Sequence, residues 1–101
     1  MTPNARSAAL LRQEGYQVDI VERWVVGANI HRDLYGIFDL LAVCEGKTLA
    51  VQTTTSDHFA DRRRKVLESP MLPRVKAAGW VVEIHGWSQR AGEWLIRRAS
   101  V

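Results

Sequence analysis

The chain is predicted to fold as a single α/β domain, on three observations. Its 101 residues are the length of one domain. Its hydrophobic pattern runs helix, strands, helix, strands. Its middle strands are almost entirely apolar, as strands covered on both faces are.

The elements follow in order. "NARSAALLRQEGY" reads as a helix: Asn4 or Ser7 is placed to cap it, Ala8, Leu10 and Leu11 give it an apolar side, and Gly15 stops it. "YQVDIVERWVV" changes to a period of two and is rich in β-branched and aromatic residues, which predicts a strand from about Gln17 to Val26. "GANIHRDLYG" reads as a polar connection. "IFDLLAV" and "TLAVQTT" form a hairpin across "CEGK", where Glu45-Gly46 supplies a turn residue that tolerates positive φ. "SDHFADRRRKVLES" is predicted helical to about Glu68, with Ser56 or Asp57 as its cap. Pro70 and Pro73 interrupt it, and "LPRVKAAG" makes a second short helical segment. "WVVEIHGW" and "GEWLIRRA" are the last two strands.

The composition narrows the classes of function. A hydrophobic fraction of 47% and a charged fraction of 25% are those of a globular protein and not of a disordered one. Cys44 stands alone, so an internal disulfide and a cysteine-based zinc cage are both excluded. No apolar run approaches the ~20 residues of a membrane span, so no membrane partner is expected and the expected location is the cytoplasm. The net charge of +3 is compatible with nucleic acid. Most telling is "DRRRKV", where Arg62, Arg63, Arg64 and Lys65 follow one another. On a helix four consecutive residues surround the axis, so these offer either a solvated surface or two or three phosphate contacts. His31, His58 and His85 show no metal-ligand spacing. Trp80 and Trp94 are expected in the core. Trp87, just before a turn, is left between core packing, stacking on a base and a dimer contact.

Strand alternation makes a sharper prediction. Ile37, Asp39 and Leu41 share one face, as do Ala50, Gln52 and Thr54, and the short turn sets Asp39 near Gln52. Glu22 is a further acid able to point into the same cluster. An acid within "IFDLLAV" is expensive to bury unless it is paired or bound to a cation.

A helix, a strand, Gly36 three residues before Asp39, a tight turn, and Gln52-Thr53-Thr54 in the third strand together resemble the PD-(D/E)XK nuclease superfamily. That superfamily includes archaeal-type Holliday junction resolvases and small phage-encoded VRR-type nucleases. The resemblance extends from about Ala5 to Ile96. It implies a restriction-endonuclease-like domain, a central mixed sheet of about five strands flanked by helices in the order α-β-β-β-α-β-β. It also implies a metal-dependent endonuclease that hydrolyses DNA phosphodiester bonds, encoded by a phage or mobile element and so working in the host cytoplasm, with a homodimer as one possible form. Asp39, Gln52 and Glu22 would hold Mg²⁺ or Mn²⁺, with Asp39, Gln52, Thr54 and Lys65 as the catalytic set and Arg62, Arg63, Arg64 and Lys65 on nucleic acid. The chain departs from the motif at two places. Thr54 stands where the family has lysine, which leaves Lys65 as the substitute cation, and the opening helix lacks an acid near its start. The alternative implied by those departures is a catalytically degenerate nuclease fold that binds nucleic acid or protein.

Overall fold

A computed structural model describes all residues, Met1–Val101. Helix α1 spans Pro3–Gln13. Its cap is Thr2, whose hydroxyl accepts the Ala5 N–H at 3.1 Å, and Pro3 occupies the first turn, where its missing N–H costs nothing. The cap therefore lies earlier than Asn4 or Ser7, and both of those side chains are free for contacts elsewhere in the fold. Strand β1, Gln17–Ile20, follows.

The strand expected to continue to Val26 breaks at Val21. The N–H groups of Val21 and Glu22 both turn to the Asp39 carbonyl, at 2.8 and 3.3 Å. The chain then leaves the sheet as an exposed arm: β2, Arg23–Val25, pairs antiparallel with β3, Ile30–Arg32. The segment read as a polar connection is thus half of a small hairpin, whose tip holds Gly27 and Asn29 at positive φ.

Strand β4, Leu40–Cys44, begins later than the run starting at Ile37. Residues 34–38 close a turn first, with Leu34 bridged to Phe38 and Tyr35 and Gly36 at φ of 55° and 75°. Strand β5, Lys47–Thr55, pairs antiparallel with β4 across Glu45-Gly46. A short 3₁₀ turn leads into α2, Phe59–Glu68; α3, Met71–Ala77, then precedes strands β6, Val81–Arg90, and β7, Glu93–Ser100.

The main sheet has five strands in the order β1-β4-β5-β6-β7, and only the β5–β6 pair is parallel. The domain is therefore a compact α/β unit with a mixed sheet and three helices. With the arm set aside, its elements run helix, three strands, two helices, two strands. Two apolar layers hold it together. Ala8 and Leu11 of α1 pack on Leu40, Ala42, Leu49 and Val51. Phe59 and Val66 of α2, with Leu72 and Val75 of α3, pack on Ile37, Phe38, Ala50, Val82 and Ile84. Alternation along β5 thus sends Val51 and Thr53 towards α1, and Ala50, Gln52 and Thr54 towards α2. Gly86 allows a close approach of helix to sheet: a Cβ there would lie 2.6 Å from the Phe59 ring.

One of the tryptophans departs from expectation. Trp94, expected in the core, is 42% exposed, because β7 is an edge strand and only the Arg6 guanidinium lies over the ring, at 3.5 Å. Trp80 is half-buried against Phe38 and Tyr35. Trp87 is the buried one; its indole N–H donates to Ser7 Oγ at 2.9 Å. No helix is long and apolar enough to cross a membrane.

Candidate metal centre

The β4–β5 register places Asp39 opposite Gln52, one step beyond the Leu40–Val51 pair. Both side chains are buried, and they meet: Gln52 Nε2 donates to Asp39 Oδ2 at 2.7 Å. The same oxygen accepts the Thr53 N–H at 2.9 Å. The Gln52 amide also donates to its neighbour's carbonyl, Thr53 O, at 3.2 Å. Its own carbonyl oxygen, Oε1, is buried without any partner. A buried acceptor left unpaired costs about 1–3 kcal/mol, and such atoms are uncommon in native folds.

Around this pair the chain assembles further acids. Oxygens of Glu22, Asp33 and Asp39 all lie within 4.8 Å of one another. Glu22 is brought in by the break after β1, and Asp33 by the return from the arm. Asn4, at the start of α1, ties the group together. Its Nδ2 donates to Glu22 Oε2 at 2.6 Å, and its Oδ1 accepts from the Thr53 hydroxyl. His31 Nδ1 approaches Glu22 Oε1 at 3.4 Å. The cleft so formed, of about 270 Å³, lies at one end of the sheet and is lined by polar residues, with Arg62 on its rim.

The electrostatics follow from this crowding. Burial pushes the Asp39 carboxyl up from 3.8 to about 7; the neighbouring Asp33 and Glu22 carboxylates add to the rise, and the Thr53 N–H opposes it. Lys65 is the nearest cation, with Nζ 3.5 Å from Asp33 Oδ2. One lysine does not balance three carboxylates. An oxygen-only donor set with excess negative charge and an orphan carbonyl suits a hard divalent cation such as Mg²⁺ or Mn²⁺.

Of the residues singled out from sequence, Asp39, Gln52 and Glu22 come together here, Arg62 of α2 lines the same cleft, and Lys65 reaches one of its acids, Asp33. Thr54 does not line it; it is buried on β5 opposite Gly86 of β6, and the cleft takes Thr53 instead. Arg63 and Arg64 lie around the helix, in a groove with Leu67 and Arg97, and Arg64 is paired with Asp61 at 2.9 Å. Sequence reasoning missed Asp33 and Asn4. The only local signal for Asp33 was an acid just before the Tyr35-Gly36 turn that leads to Asp39. Asn4 gave none, because a polar residue in a first helical turn reads as a cap. No protein-family model, no curated protein and no solved structure matches the chain.

Proposed function

We propose that the protein is a metal-dependent nuclease that hydrolyses phosphodiester bonds in DNA. One observation carries this reading: three carboxylates converge beside a polar cleft that Gln52 also lines, and the buried carbonyl oxygen of that glutamine has no partner of its own. Glu22, Asp33, Asp39 and Gln52 Oε1 would hold the cation. When bound, Mg²⁺ or Mn²⁺ supplies an acidified water and a Lewis acid for the phosphoryl oxygen. The remaining tasks belong to the chain. Asn4 and Thr53 fix the carboxylates in place through their hydrogen bonds. Arg62 at the rim and Lys65 beside Asp33 neutralise charge gathering on the phosphate. Lysine at 65 is better suited than arginine to share a proton with the attacking water.

The test is cleavage of supercoiled plasmid, single-stranded DNA and a four-way junction in Mg²⁺ and then Mn²⁺. Wild-type protein is expected to cut at least one of them, and Asp39→Ala to lose about a hundredfold or more, beyond the loss typical of an outer-shell change. Lys65→Ala should slow cleavage while leaving metal binding in place. Absence of cleavage on every substrate sinks the proposal. Two observations would then favour a degenerate fold that only binds: Lys65 already engages Asp33, and Thr54 brings no charge to the cleft.

A further inference from the structure

Asp33 also lines a second and larger cleft, of about 620 Å³. Its floor is apolar, formed by Ile20, Val21 and Leu34, and its walls carry Arg23, Arg32 and Tyr35. The volume is that of a small-ligand site. Arg23 and Arg32 are direct cross-strand partners in the β2–β3 arm, so their side chains leave the same face side by side. Like charges opposed in this way destabilise a strand pair. Neither guanidinium has a carboxylate within ion-pair distance, whereas Arg64 and Arg98 do. Tyr35 lines the same cleft, half exposed, on a backbone at φ 55° that an aromatic residue rarely adopts. Two unpaired guanidiniums, a half-exposed phenol ring and an apolar floor are a receptor for one anionic group joined to one flat apolar one.

We propose that this cleft is a nucleotide subsite. It takes an unpaired nucleotide of the strand whose neighbouring phosphate reaches the carboxylate cluster. Arg23 and Arg32 hold the phosphate, and the base lies against Tyr35 and the floor, a stacking arrangement open to any base. Asp33 is the shared wall, so the two sites are consecutive along one strand. A base inside a duplex is not free to enter, which makes single-stranded or branched DNA the preferred substrate. That the neighbouring phosphate reaches the carboxylate cluster rests on the nuclease reading above; the binding does not.

The experiment is fluorescence anisotropy with a labelled single-stranded oligonucleotide and the matching duplex, in EDTA so that nothing is cut. Wild type is expected to prefer the single strand. Arg23→Ala with Arg32→Ala should weaken binding about tenfold or more and flatten its salt dependence, as loss of phosphate contacts does. Tyr35→Asn, chosen because asparagine tolerates the left-handed backbone, should weaken single-strand binding without changing the salt slope. Arg74→Ala with Arg90→Ala, the same charge change at exposed sites away from the cleft, should leave binding near wild type. A mononucleotide should compete and inorganic phosphate should not. Thermal midpoints of all variants confirm folding, and relief of the Arg23–Arg32 repulsion should not lower them. The proposal is overturned if wild type binds neither oligonucleotide, if the Arg23/Arg32 variant binds as wild type, or if the Arg74/Arg90 control weakens as much. Arginine-dependent binding without any cleavage would remove the nuclease reading and keep the cleft. Cleavage unaffected by the arm variants would keep the nuclease reading and remove the cleft.

Discussion

Asp39→Asn is expected to move two measurements in opposite directions: the metal-free protein becomes more stable at pH 8, and stabilisation by Mn²⁺ disappears. The Asp39 carboxyl is held at about 7 in the fold against 3.8 ordinarily. Between those values the folded state keeps a proton that the unfolded chain has released. Stability from this group is therefore greatest below about pH 4, falls as pH rises through 7, and is level above. The fall is on the order of a few kcal/mol. Asparagine has no proton to lose, so the slope vanishes. Its carbonyl can still accept from Gln52 and Thr53, as Asp39 Oδ2 does, and its NH₂ then faces the other carboxylates. In a domain of this size the thermal midpoint at pH 8 should rise by about 4 °C or more. Wild type should instead be stabilised by Mn²⁺, with an affinity that climbs about tenfold per pH unit up to 7 and then levels, since binding below 7 must expel the proton. Midpoints recorded across pH with and without Mn²⁺ decide it. A variant that melts lower than wild type at pH 8, or that gains as much from Mn²⁺, would show that Asp39 is a structural acid with no cation to serve.

The second large effect concerns stability alone. Ser7 Oγ lies 2.8 Å from His85 Nδ1, and His85 Nε2 lies 2.9 Å from Glu83 Oε1. By residue type and distance this is a nucleophile, base and acid in sequence. Accessibility rules that out: Ser7 and His85 are both fully buried, and the Trp87 indole donates to the serine oxygen from above. The chain of bonds continues through Arg98, which contacts Glu83 and reaches Glu14 at 2.7 Å. The network therefore fastens α1 to β6 and β7. His85→Leu keeps much of the volume but strips partners from Ser7 and from the Glu83 carboxylate, whose pKa the His85 bond holds down. It should destabilise by about 3 kcal/mol. Ser7→Ala, which orphans the Trp87 N–H and one His85 nitrogen, should lose about 2 kcal/mol. In urea the midpoints of both should fall with an unchanged slope, and a serine-directed phosphonate should not label the wild type. Labelling at Ser7 would overturn the structural assignment.

The meeting of Asp39 and Gln52 was legible because a two-residue turn and strict alternation fix register from local sequence. So was α2, whose basic run does surround the helix: Arg62 lines the carboxylate cleft and Lys65 reaches Asp33, while Arg63 and Arg64 face another groove. The β2–β3 arm was not, since its strands are only three residues long and exposed, and no buried face imposes a pattern on them. Asp33 and Asn4 reach the cluster through the tertiary path of the chain, which leaves no periodic trace. Trp87 and Trp94 have nearly the same local setting. What separates them is that β6 lies inside the sheet and β7 at its edge, and sheet order is not written in alternation.

The parallel pairing of β5 with β6 also sets a timetable. The β4–β5 hairpin closes over Glu45-Gly46, whereas β6 must return across both α2 and α3 before it lies along β5. Contacts so distant in sequence form late. Until then the edge of β5 turned away from β4 has no strand against it. A half-built sheet with a free strand edge is a template for a strand of another copy, so the late return of β6 is also the window for misassembly.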